Sequence, residues 1–230
     1  MRLKKQLLAA CLLALLFACN NESGAPKKAQ PSAIFADYRI SGDESKAMVT
    51  CLLQFYEAGP EGTSILLQPP AGVQLDGEAL TPDSALRTGA YYELQKPLET
   101  FSGKHTITLT DEHGQPYTEE VHFEPLVLHT QLGATVRRDS LVLQVSGLLP
   151  GEKVRVLLTD IDFDTDDINH LQTVRGGKIV LTAAELRQLA SGPVTLMLYK
   201  ELERDLKKGT AAGGRLSITY GLSREFELVD

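Results

Sequence analysis

Apolar residues follow two textures along this chain. Residues 7–18 form an unbroken apolar run behind Arg2, Lys4 and Lys5, and no acidic residue occurs before Glu22. A run of this length suits the hydrophobic region of a secretory signal and falls short of the ~20 residues of a transmembrane helix. Residues 20–32 (NNESGAPKKAQPS) hold Gly, two Pro and no core residue, the composition of a flexible tether. From Ala33 onward the apolar residues come in short stretches, many at every second position, between clusters of Gly, Pro and Asp. That period is the signature of half-buried β-strands.

In the first half the pattern predicts strands at 34–40, 46–56, 64–68, 73–75, 79–80, 91–94, 105–110 and 117–124. Asp76-Gly77 is a hairpin signal between two of them. In 105–110 the alternation is strict, with Ile107 and Leu109 on one face and Thr106, Thr108 and Thr110 on the other. Glu124-Pro125 marks the expected junction, because Pro125 has no N–H to pair with a neighbouring strand. In the second half strands are predicted at 126–131, 140–145, 154–158, 170–174, 178–181, 194–199 and 215–229. Arg175-Gly176-Gly177 is read as a hairpin turn. Thr182-Ala183-Ala184-Glu185 matches a capping box, which predicts one helix over about 183–190, ended by Gly192-Pro193. Residues 201–214 are charged and then Gly-rich, a long loop or an extended hairpin tip.

Many short strands at ~8–12-residue spacing, in two halves of similar size, predict an all-β chain. The expected architecture is two tandem immunoglobulin-like β-sandwiches with one short helix in the second. The expected divisions are a signal segment at 1–18, a tether at 19–32, and sandwiches at 33–124 and 125–230. Neither half shows the Cys–Trp–Cys pattern of antibody domains, since the chain has no Trp.

Charge and composition narrow the functional classes. The net charge is −7, and loss of residues 1–18 removes three basic residues and no acid. Arg137-Arg138 and Lys207-Lys208 are pairs rather than a basic patch, so no nucleic-acid partner is expected. Aromatic residues make up only 6%, which lowers the prospect of a carbohydrate-stacking platform. Of the three cysteines, Cys11 lies in the signal segment and Cys19 closes it. Cys51 is then left alone without a disulfide partner and reads as a small buried hydrophobe.

Leu16-Phe17-Ala18-Cys19, at the end of the apolar run, resembles the lipobox of bacterial lipoproteins, with Phe17 in place of the usual small or β-branched residue. The resemblance implies cleavage before Cys19 and acylation of that residue. A rival box, Leu8-Ala9-Ala10-Cys11, would leave Leu12, Leu13, Leu15 and Leu16 exposed in the mature chain. Together with the Asn-rich start and the tandem β-domains, the box resembles surface or periplasmic lipoproteins of Bacteroidetes-type bacteria. So do 102–111 (SGKHTITLTD) and 191–196 (SGPVTL), which resemble strand openings in their immunoglobulin-like domains. The family resemblance implies a membrane-held protein, at the outer rather than the inner membrane because Asn20 and not Asp follows Cys19. It also implies a protein or cell-envelope partner, and supplies no catalytic residues.

The richest chemistry lies in 159–167 (TDIDFDTDD). Asp160, Asp162, Asp164, Asp166 and Asp167 offer the oxygen ligands that Ca²⁺ prefers. The EF-hand spacing fails at Thr165, where Gly would turn the loop, and at Leu171, where a bidentate Glu belongs. A solvated strand end and a partner-facing acidic surface are the competing readings. No His or Cys pair has zinc spacing, although His105 and His122 are candidates to meet across a hairpin. Gly176-Gly177-Lys178 lacks the upstream glycine of a phosphate loop, and no cofactor is expected. The functional expectation is therefore a lipid-anchored, non-enzymatic binding or structural module. A calcium-dependent or glycan-binding module is the second reading, and a hydrolase without a recognisable motif the third.

Overall fold

The computed structural model describes residues 33–85, 89–149, 152–162 and 166–230. The signal segment, Cys19 and the tether lie outside the described residues, as do Asp164 and Thr165. The chain from Ser32 to Asp230 forms one compact unit.

The first half supplies eight strands: β1 (Ile34–Asp43), β2 (Met48–Glu57), β3 (Gly72–Leu75), β4 (Glu78–Ala79), β5 (Pro82–Ala85), β6 (Gly89–Pro97), β7 (Gly103–Thr110) and β8 (Pro116–Phe123). A one-turn helix, α1 (Leu98–Phe101), adds to the single helix the sequence signalled. The strands pair in the orders β1-β2-β6-β5 and β4-β3-β7-β8. The second half supplies β9 (Val127–Leu128), β10 (Thr135–Arg137), β11 (Leu141–Ser146), β12 (Lys153–Thr159), β13 (Ile168–Thr173), β14 (Lys178–Leu181), α2 (Ala183–Leu186), β15 (Gly192–Asp205) and β16 (Gly214–Val229). They pair in the orders β9-β11-β14 and β13-β12-β15-β16, with β10 parallel to β16. Both arrangements are those of an immunoglobulin-type sandwich, in which the first, second and fifth strands of the motif form one sheet and the third, sixth and seventh the other. The chain is all-β in this sense.

The strand faces follow the alternation. Ile107 and Leu109 are buried while the three threonines between and beside them are half-buried. Asp76 and Gly77 both adopt positive φ, 51° and 82°, as the tight β3–β4 turn requires. The capping box of α2 forms as expected: the Glu185 N–H donates to Thr182 Oγ1, and the Thr182 N–H donates to Glu185 Oε2.

Two local expectations differ. Residues 64–68 form no strand beyond an isolated bridge from Ser64 to Tyr56; Pro69-Pro70 follows at once and leaves no length to pair. The turn at 175–177 does not join a hairpin, because β13 pairs with β12 and β14 with β11. The chain there crosses from one sheet to the other. Residues 201–214 take the second of the two expected forms, an extended hairpin tip: β15 and β16 stay paired from Gly192↔Leu228 out to Asp205↔Arg215, and 206–213 turn between them.

That last hairpin sets the architecture. Its base belongs to the second sandwich, where β15 pairs with β12 over Thr195 to Glu201. Its far half leaves that sandwich and joins the first. Residues 214–221 of β16 pair in parallel with 36–43 of β1, so one sheet runs β13-β12-β15-β16-β1-β2-β6-β5 through both halves. Leu216, Ile218 and Tyr220 are buried in the first sandwich, and the Tyr220 ring packs edge-on against Phe123 at 6.1 Å. Residues 33–124 therefore make a sandwich whose edge and part of whose core come from the end of the chain.

Candidate functional site

β16 orients the molecule. Its first residue, Gly214, pairs with Ala36 near the start of β1. At the same end Thr210 Oγ1 donates to the Ile34 carbonyl. Its last residue, Val229, pairs with Arg137 on β10. Sixteen strand residues at ~3.3 Å each separate these ends by about 50 Å. The start of β1 and the far end of the second sandwich thus lie at opposite ends of one continuous strand.

At the far end Arg137, Arg138, Asp139, Arg187 and Asp230 line an open groove of about 410 Å³. Arg137 and Asp139 are placed by the end of β10, Arg187 by the C-terminus of α2, and Asp230 by the end of β16. The Arg138 fork is fixed by donation to Ser191 Oγ at 2.8 Å. Its buried Nε has no hydrogen-bond acceptor among the described residues, with Asp230 Oδ1 3.4 Å away. Arg137 Nε stands 3.7 Å from Asp139 Oδ2. Asp160, the first residue of the acidic run weighed as a second-choice Ca²⁺ site, flanks the same end. There Asp160 is committed to the backbone: Oδ1 accepts from the Asp162 N–H at 2.8 Å and Oδ2 from the Ala190 N–H at 2.6 Å. Asp166 and Asp167 are exposed. Among the described residues no group of three or more His, Cys, Asp or Glu is gathered around a common point, and Asp164 lies outside them.

Elsewhere the reactive side chains are occupied by the fold. His105 does not meet His122; the register sets it opposite Val121. Its Nδ1 faces Asp76 Oδ2 and its Nε2 the Phe101 carbonyl, both at 2.7 Å, and the ring stacks on Phe101 at 3.9 Å. With both nitrogens facing acceptors of the fold, this Asp–His pair ties the β3–β4 turn to α1. Cys51 is fully buried, and burial, with a smaller contribution from the Asp76 carboxylate, pushes its thiol up to about 12. Such a thiol is neither nucleophile nor metal ligand at neutral pH.

No family model matches the chain, and neither does any curated protein. Solved structures with a similar course include a bacterial ice-binding adhesin described for host cell surface retention (10% identity, 86% of this chain and 65% of that one, TM-score 0.24). Others are the IG1 and IG2 domains of DIP-gamma (11%, 81% and 94%, 0.23) and a Bacteroides ovatus protein from a mixed-linkage glucan utilization locus, solved with a mixed-linkage heptasaccharide (12%, 75% and 53%, 0.21). This chain spans just under two thirds of the adhesin structure. At these TM-scores the likenesses carry no argument, and the sandwich assignment rests on the strand order itself.

Sequence reasoning missed the residues that join the halves. Lys200 Nζ sits 2.9 Å from Glu152 Oε2, donates to the Gly147 carbonyl at 2.8 Å and to the Glu124 carbonyl at 3.3 Å. Three donors thus meet three acceptors, one of them on the residue before the Pro125 junction. Glu119 on β8 is equally buried. It pairs with Arg204 at 2.7 Å and accepts from the Lys207 N–H at 2.8 Å, which holds the hairpin tip against the first sandwich. A faint signal was present: Val194, Leu196 and Leu198 point inward along β15, and the same alternation places Lys200 and Arg204 on that face.

Proposed function

We propose that this chain is a bacterial envelope lipoprotein that displays a binding surface without catalysing a reaction. Cys19 carries the lipid, residues 20–32 form the tether, and the joined sandwiches act as a stiff spacer. Acyl chains contribute ~0.8 kcal/mol per buried CH₂, and stable attachment takes at least two membrane signals. The observation that carries the reading is the course of β16, which begins opposite Ala36 near the start of β1 and ends about 50 Å away at the arginine groove. The engaged ring of His105 and the inert thiol of Cys51 support a binding role over a catalytic one.

Metabolic labelling with a palmitate analogue tests the anchor. Label is expected on the wild-type chain and on Cys11→Ala, and is expected to vanish with Cys19→Ala. Label that persists on Cys19→Ala refutes the assignment.

A further inference from the structure

The groove at the end of β16 has features that surface arginines seldom share. Arg138 is held by Ser191, yet among the described residues its buried Nε has no hydrogen-bond acceptor, a state that costs free energy unless something supplies one. The nearby Asp230 is 92% exposed and 3.4 Å away, outside hydrogen-bond geometry. Asp139 is 80% exposed and equally loose on Arg137. Arg187 makes no side-chain ion pair among the described residues. Three guanidinium groups thus face two weakly held carboxylates, in a protein whose overall charge is negative. The groove also adjoins a sheet edge. β10 pairs with β16 on one side only, and the Arg137 and Val229 side chains, register partners, are both exposed. Edge strands carry unpaired N–H and C=O groups that accept an added strand.

We infer that this groove binds an acidic, extended polypeptide segment. Its backbone lies along β10, and one of its carboxylates displaces Asp230 to pair with Arg138 and Arg187. Guanidinium forks suit a carboxylate because two parallel N–H donors match its two oxygens. Strand addition supplies main-chain hydrogen bonds, and Val229 gives an alternate apolar side chain a place to rest. The inference deepens the reading of this end as the binding face and does not depend on the lipid.

The test is a fluorescence-anisotropy titration of the full chain in detergent micelles with a labelled decapeptide of alternating Glu and Val. Saturable binding is expected, at least tenfold weaker for Arg138→Gln and for Arg187→Gln. It is also expected to weaken as salt rises from 50 to 300 mM, and to be absent for the Lys–Val counterpart. Arg187→Gln guards against a folding artefact, because that side chain has no partner to lose among the described residues. Absence of saturable binding at millimolar peptide overturns the inference, and so does binding that neither substitution alters. Binding of oligogalacturonate with none of the peptide overturns it in favour of a carbohydrate ligand. None of these results bears on palmitate labelling at Cys19, so the two claims fail separately.

Discussion

Lys200 occupies an inward position where a strand that has just contributed Val194, Leu196 and Leu198 to one core begins to leave it. A buried ammonium is tolerated only with its donors satisfied, and its acceptors come from the residue before Pro125 and from the β11–β12 connection. Removing one partner of a buried pair costs ~3–5 kcal/mol, because the other charge is left without compensation. Lys200→Met is therefore expected to lower stability by about that amount in urea denaturation, with part recovered by adding Glu152→Gln. Gln keeps an acceptor for the Leu149 N–H, which Glu152 now binds. Asp37 carries a pH dependence. Burial pushes its carboxyl up, and hydrogen bonds from Arg215 and Arg39 more than offset this, so the group sits below the ordinary carboxylate value. A carboxylate with a depressed folded value stabilises the fold above its unfolded value of ~3.9 and loses that contribution as pH falls through the folded one. Melting temperature measured from pH 6 to 2 is expected to fall less steeply in Asp37→Asn than in the wild type. Cys51 gives a simple check: the native protein is expected to leave this thiol unreacted with a disulfide reagent at pH 8 and to release it on denaturation.

Among the elements, the β15–β16 hairpin does most to define the structure. Ile218 is buried in the first sandwich although it lies near the end of the chain. Ile218→Ala is expected to cost ~2–5 kcal/mol and to broaden or shift amide resonances of β1 and β2, more than 160 residues away in sequence. Much of this element was legible. Leu216, Ile218, Tyr220, Phe226 and Leu228 keep one parity throughout, and the capping box and the Asp76-Gly77 turn were readable from local chemistry alone. The partner of the hairpin was not legible, because alternation reports which face of a strand is buried and says nothing of which strand lies beside it. For the same reason 178–181 looked like the return arm of a hairpin when it belongs to the opposite sheet. The groove was invisible for another reason: Arg137-Arg138, Arg187 and Asp230 are far apart in sequence and converge only because β10 and α2 meet the end of β16.

At the scale of the whole molecule, the Pro125 junction does not work as a hinge between separate bodies. The Glu124 carbonyl is held by Lys200, and Gly147 approaches Pro125 so closely, at φ +84°, that an added Cβ would lie 1.8 Å from the Pro125 carbonyl oxygen. Above this local lock, one sheet crosses the junction and the buried apolar cluster draws on both halves. The proposed stiff spacer requires that the sandwiches hold and lose their structure together. Differential scanning calorimetry of the intact chain, alone and with Ile107→Ala in the first sandwich, tests this most directly. A single transition whose calorimetric and van't Hoff enthalpies agree, moved as a whole to lower temperature by the substitution, is the predicted result. Two transitions, with the one assigned to the second sandwich unmoved by Ile107→Ala, would contradict it.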